Sequence, residues 1–154
     1  MDGSGITSEN HKAHLAVNDP NRISFTLPGK PNTKLRARSA RRKTGICVYD
    51  PQRDDKETVR WQIRSRMVGR KPLSGPLSLS LVCVFKRPKS RSKDEIYHTS
   101  KPDFDNLEKW IGDAGNKILW HDDSQIAESS FLKVFGDVPK TILTVRRLDD
   151  TNKT

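Results

Sequence analysis

Long apolar runs are missing from this 154-residue chain, and so are paired cysteines and a generous supply of aromatics. No stretch approaches the ~20 apolar residues that span a bilayer, and the first residues lack the apolar core of a signal peptide. We therefore expect a soluble, cytoplasmic protein with no membrane partner. The two cysteines, Cys47 and Cys83, stand far apart. That spacing excludes a zinc ribbon and a CxxC redox site and leaves two buried free thiols as the expectation. With aromatics at 6% and hydrophobic residues at 32% of the chain, there is material for one core and not for two. The expected organisation is a disordered leader (residues 1–20), one domain (21–148) and a disordered tail (149–154).

Positive charge is what the chain has in excess. A formal charge of +10 and a pI near 9.9 favour nucleic acid as the partner, because neutralising a phosphate backbone needs Lys and Arg facing it. Residues 22–102 hold twenty-one Lys and Arg against six acids. The balance then reverses. Residues 103–128 carry seven carboxylates and only two basic side chains, Lys109 and Lys117, and four of the acids form the pairs Asp103/Asp105 and Asp122/Asp123. A surface made only to hold a polyanion would avoid such a cluster, whereas divalent cations set between acids and phosphate reconcile the two.

The elements are read from hydrophobic period. Ile23, Phe25 and Leu27 alternate with polar neighbours, and Leu77, Leu79, Leu81, Cys83 and Phe85 do so more strongly, predicting a first strand and a central one. Val59, Ile63 and Met67 predict a helix over about 54–69, opened by Asp54 and Asp55, with Arg60, Arg64 and Arg66 exposed. Leu107, Trp110, Ile111 and Ala114 mark a second helix that ends near Gly115 or Asn116. LRARSARRKTG reads as a basic loop before a short strand, ICVYD. KRPKSRSKDEIYHTSKP reads as a mobile substrate clamp. Strands over about 127–135 and 140–147 are expected to form a hairpin around GDVP. The order of elements implies an α+β fold: a mixed sheet with helices mainly on one face, in two layers.

Asp103 and Asp105 lie two apart, so an extended backbone at Pro102–Phe104 points both carboxylates the same way just before the helix. Lys109 follows Asp105 by one turn and can approach the same point. The bland alternatives are a helix cap for Asp105 and an ordinary surface pair with Lys109. For Asp122 and Asp123 the alternative is a solvated turn, or an N-cap for a single turn through Gln125.

These residues resemble the signature of the RusA family of Holliday junction resolvases, an Asp-x-Asp-Asn-Leu-x-x-Lys run followed by Asp-Asp-x-Gln. They stand here as Asp103, Asp105, Asn106, Leu107 and Lys109, then Asp122, Asp123 and Gln125. Weaker similarity covers the opening strand, VYDP and the closing strands. The resemblance implies a Mg²⁺-dependent homodimeric endonuclease of bacteria or phages that resolves four-way DNA junctions by paired symmetric cuts. It makes Asp103, Asp105 and Asp123 metal-binding catalytic acids, with Asp122 the second choice and Lys109 the assisting residue. Glu108, Asp113 and Glu128 are left as surface charges.

Around this centre, Arg36, Arg38, Arg41, Arg42, Lys43, Lys86, Arg87, Lys89, Arg91, Lys93 and Lys101 are candidates to track DNA phosphates. Trp61, Trp110 and Trp120 are candidates to stack on unpaired bases, although Trp110 also fits the apolar stripe. His98 and His121 flank the two acid motifs and could touch phosphate or metal, while His11 and His14 read as solvated. Two other functions stay open on the residues: a basic binding module without catalysis, and a nuclease of broader branched-DNA choice.

Overall fold

Alternation builds the sheet as the sequence implies. In β1 (Arg22–Pro28) Ile23, Phe25 and Leu27 are buried between exposed neighbours, and in β6 (Lys140–Arg147) Thr141, Leu143 and Val145 are buried in the same rhythm. Between them in sequence come β4 (Leu77–Lys86) and β5 (Ile126–Gly136), and the strand order is β1-β6-β4-β5. Phe25, Leu143, Leu81 and Phe131 lie opposite one another on the four strands, and Ile23, Val145 and Leu79 form a second row. The computed structural model describes residues 19–33 and 38–149. The leader and tail fall almost wholly outside them, as do Arg36, His11 and His14.

One face of the sheet carries both helices. Ile63 of α1 (Arg53–Arg66), Met67 just after it, and Trp110, Ile111 and Ala114 of α2 (Phe104–Gly115) are buried in one core, while Leu107 of α2 packs in a smaller cluster with Cys83 and Phe85. Burying each such large side chain contributes roughly 1.5–3 kcal/mol. The other face is polar toward the start of β4, where the Ser24 and Thr144 hydroxyls bond at 2.9 Å and Ser78 donates to Glu128 at 2.8 Å, and apolar toward its end, with Val82, Val84, Leu132, Val134 and Ile142. The fold is therefore the expected α+β arrangement, a mixed sheet backed by helices in two layers. No helix among the described residues is long and apolar enough to cross a membrane.

The closing strands do not form a hairpin. β5 pairs parallel with β4, whereas β6 pairs antiparallel with both β4 and β1, so residues 137–139 carry the chain across the end of β4 to its far side. Parallel neighbours need a crossover connection, and α2 supplies it between β4 and β5. The crossing is close. A Cβ on Gly136 would stand 2.6 Å from Val84 Cγ1, so glycine is required there.

Other expectations also change. The segment read as a basic loop forms β2 (Arg38–Arg42), paired antiparallel with β3 (Gly45–Tyr49). Cys83 is buried as expected, and burial pushes its thiol up to about 11; Cys47 is only half-buried on the hairpin. Arg60 is not a free surface cation, because its guanidinium donates to the carbonyls of Asp113, Ala114 and Asn116 and closes the C-terminus of α2. The segment read as a mobile clamp is tied down: Tyr97 bridges to Val134, the Phe135 amide donates to Ile96 and the His98 amide to Lys133. Arg87 further donates to the carbonyls of Ser92 and Glu95.

After α2 the chain turns through Lys117, whose φ is 67°, and drives Leu119 and Trp120 fully into the core. Trp120 lies against the end of α2 so tightly that a Cβ on Gly115 would meet its ring at 2.9 Å. Gly115→Ala should therefore overpack this corner and cost about 1–3 kcal/mol, measured as a lower urea midpoint with an unchanged m-value.

Candidate active site

The polar side of α2 is a stripe at helical spacing: Asp105, Glu108, Lys109, Gly112 and Asp113, opposite the buried Leu107, Trp110, Ile111 and Ala114. Asp103 is the residue before the first turn, with extended backbone at φ −71° and ψ 145°, and its side chain makes no cap hydrogen bond. Its carboxylate is thus not committed to the helix backbone. Asp105, in the first turn, accepts a hydrogen bond from Lys109 Nζ at 3.1 Å. That bond holds its carboxyl below the ordinary carboxylate range. Surface pairing of Asp105 with Lys109, one of the two bland alternatives, is thus present.

The second motif resolves into two different jobs. Asp122 is the N-cap of a single 3-10 turn, Asp123–Gln125, its carboxylate accepts from the Ser124 amide at 2.9 Å, and the Ser124 hydroxyl and then its amide lower the Asp122 pKa. Gln125 completes a capping box by accepting from the Asp122 amide, and its side-chain amide donates to the carbonyls of Leu73 and Gly75. Asp123, although exposed, is tied to the core. Its Oδ1 accepts from the indole N–H of Trp120 at 2.6 Å, and its Oδ2 lies 3.7 Å from where a Cβ on Gly112 would stand. Trp120 is therefore core and a positioning residue, not a stacking surface. Trp110 is core as well, and Trp61 is exposed.

Asp123, Lys109, Glu108, Gly112 and Asp113 line one open pocket of about 260 Å³, floored by Leu79 and Ile126. Glu108 and Asp113, taken as surface charges from the sequence, belong to it. Their spacing from Lys109 and Gly112 on one helix stripe was the available signal. Asp113 also pairs with Lys56 at 3.6 Å. Asp105 lies seven residues below Gly112, about 10 Å along the helix axis, with Lys109 between them.

These side chains are hard oxygen donors, the kind that suit a divalent cation. In the arrangement present, no three His, Cys, Asp or Glu side chains among the described residues come together closely enough to hold an ion, and Lys109 occupies Asp105. The match is one of donor chemistry rather than of a formed cage.

The histidines do not join the acids. His121 is exposed, with Nε2 3.4 Å from the Ser74 hydroxyl. His98 stacks on Phe85 with centroids 4.2 Å apart, and burial, then the Lys133 charge, depresses its pKa. Lys133 is a residue the sequence reading missed. Its ammonium donates to the carbonyls of Ser100 and Pro102, both at 2.6 Å, and fixes the chain just before Asp103. Its position between Phe131 and Phe135 on one strand face, where a third apolar side chain belongs, was the clue.

The family model of endodeoxyribonuclease RusA matches residues 28–146. The chain belongs to the RusA family. It is also 27% identical over 138 residues to the uncharacterized protein YqaN of Bacillus subtilis (strain 168), covering 82% of this chain and 96% of that one. RusA-family proteins are endodeoxyribonucleases that depend in general on divalent metal, which fits an acid pocket beside basic surface. Of the basic candidates, Arg38, Arg41, Arg42 and Lys43 are exposed or nearly so on the β2–β3 hairpin. Lys86, Lys89, Lys93 and Lys101 are exposed around the loop before α2. Arg87 is spent inside that loop, and Arg91 pairs with Glu95 at 3.1 Å.

Two outcomes follow from this geometry. Lys109→Met should move the Asp105 titration upward toward the ordinary carboxylate value, read from its carboxyl carbon by NMR. Trp120→Phe keeps an aromatic ring in a smaller form and removes the donor to Asp123, so DNA cleavage should fall between about 10- and 100-fold while the circular dichroism spectrum still shows a folded protein.

Proposed function

We propose that this protein is a Mg²⁺-dependent endonuclease that resolves four-way DNA junctions by paired symmetric cuts, acting as a homodimer in the cytoplasm. The observation that supports the reading is the polar stripe of Asp105, Glu108, Lys109 and Asp113 on α2, with Lys109 and Asp123 lining one pocket, inside the RusA-family match. Asp103, Asp105 and Asp123 would hold the metal. When bound, Mg²⁺ supplies Lewis-acid activation of a water and neutralises charge on the phosphate.

The chain's own residues have separate tasks. Asp105 is kept ionised by Lys109, so it is ready as an acceptor over the whole physiological range. Lys109 sits between the two acid motifs and, once drawn from Asp105 to a phosphate oxygen, would offset the negative charge that grows as the P–O bond breaks. Asp122 is engaged in capping, which favours Asp123 as the ligand. Trp120 orients Asp123, and Lys133 orients the approach to Asp103. The exposed Arg and Lys side chains of the β2–β3 hairpin and of the loop before α2 would grip backbone phosphates on either side. An isologous dimer would present two such centres with the symmetry of a junction.

The test uses an end-labelled synthetic four-way junction, matched duplex and flap DNA, each with Mg²⁺ or EDTA. Paired cuts confined to the junction with Mg²⁺ are expected. Equal cutting of flaps would replace junction resolution by a broader branched-DNA activity, and no cutting anywhere would leave only DNA binding. Asp103→Asn should bind the junction as the parent does and lose cleavage by at least about 100-fold.

A further inference from the structure

A second pocket, of about 450 Å³, opens at the C-terminal end of β4, with Pro102, the residue before Asp103, in its lining. Its walls are His98 and Phe135, with centroids 5.0 Å apart, and Phe85 beneath His98. Around its mouth stand Lys30, Lys86 and Lys101, all exposed, and no carboxylate lines it. Aromatic walls inside and three ammonium groups outside match a ligand that is planar and apolar at one end and anionic at the other. A pocket of this volume lies within the usual range for a small-molecule or single-nucleotide site.

We infer that this pocket seats one unpaired nucleotide of the DNA substrate, its base against His98 and Phe135 and its flanking phosphates on Lys30, Lys86 and Lys101. The inference rests on the DNA-cutting function proposed above and adds to it a subsite for an extruded base. Aromatic side chains take bases of any identity because every base has a π-face. With its pKa depressed, His98 is neutral at pH 7 and serves as an aromatic wall. Placement supplies the link to cleavage. Pro102 lines the pocket and is the chain neighbour of Asp103, and Lys133 fixes the Pro102 carbonyl. A base held there would therefore be displaced from its stack beside the acids, where branched DNA has bases to spare and continuous duplex does not.

The test measures binding by the full-length protein in EDTA, so that cutting plays no part. A short labelled oligothymidylate and an abasic strand of the same length and charge are compared by fluorescence anisotropy. The base-bearing strand should bind at least about fivefold tighter. Lys86→Gln and Lys101→Gln should weaken both strands together, and His98→Ala should bring the ratio toward one. Because His98→Ala could disturb the loop, the His98 ring protons of the parent protein are also followed by NMR. They should shift with thymidine 5′-monophosphate and stay in place with deoxyribose 5-phosphate. Equal affinity for the two strands, or equal shifts with the two phosphates, overturns the base site. Failure of junction cleavage with the strand preference intact would instead count against the nuclease reading alone.

Discussion

Trp120 is fully buried, and a buried indole N–H needs an acceptor. The acceptor here is a carboxylate oxygen of Asp123 at 2.6 Å, so the largest fully buried side chain also orients an acid in the pocket. Everything around the ring serves its seat. Gly115 keeps the end of α2 open to it, Gln125 ties the following turn to Leu73 and Gly75, and the Leu73–Trp120 bridge joins the two segments. A packed core holds a carboxylate more rigidly than a loop does. Asp123 has loop mobility denied to it by the ring three residues before it.

The charge pattern follows the same economy of placement. An acid cluster inside a basic protein would be neutralised by whichever cation reaches it first. In this chain the cations that could do so are largely occupied: Arg60 closes the C-terminus of α2, Arg87 and Arg91 bind within their own loop, and Lys133 holds two carbonyls. Lys109 remains at the centre, paired with Asp105 by a bond between two exposed groups at 3.1 Å. Exposed pairs are weak, so this ammonium can change partners when a phosphate arrives.

Much of the fold was legible because period is a local property. β1, β4, α1 and α2 declared themselves through residues two, three or four apart. The β5–β6 relation did not, because a short connection normally means a hairpin, and nothing near Gly136 says that β6 belongs between β1 and β4. That decision is made by β1, more than a hundred residues earlier, which needs a partner for Ile23, Phe25 and Leu27. The β2–β3 hairpin was hidden for another reason: its side chains face no core, so Arg38–Arg42 lacks the apolar alternation by which strands are read. At the site, the motif brought out Asp103, Asp105, Lys109 and Asp123, with Asp122 as the second choice. The structure gives these two carboxylates different partners, the Ser124 amide for Asp122 and the Trp120 indole for Asp123.

Lys133 shows why the unread part matters for function. Lysine on the helix-facing side of a strand, between Phe131 and Phe135, is costly unless its ammonium is fully engaged. Engagement with the carbonyls of Ser100 and Pro102 supplies that, and in doing so transfers the rigidity of the sheet to the last residues before α2. Asp103 hangs from a segment that would otherwise be positioned only by its own loop. The same two hydrogen bonds fix one wall of the aromatic pocket. A strand lysine thus holds in one frame the residue before Asp103 and the Pro102 edge of the aromatic pocket.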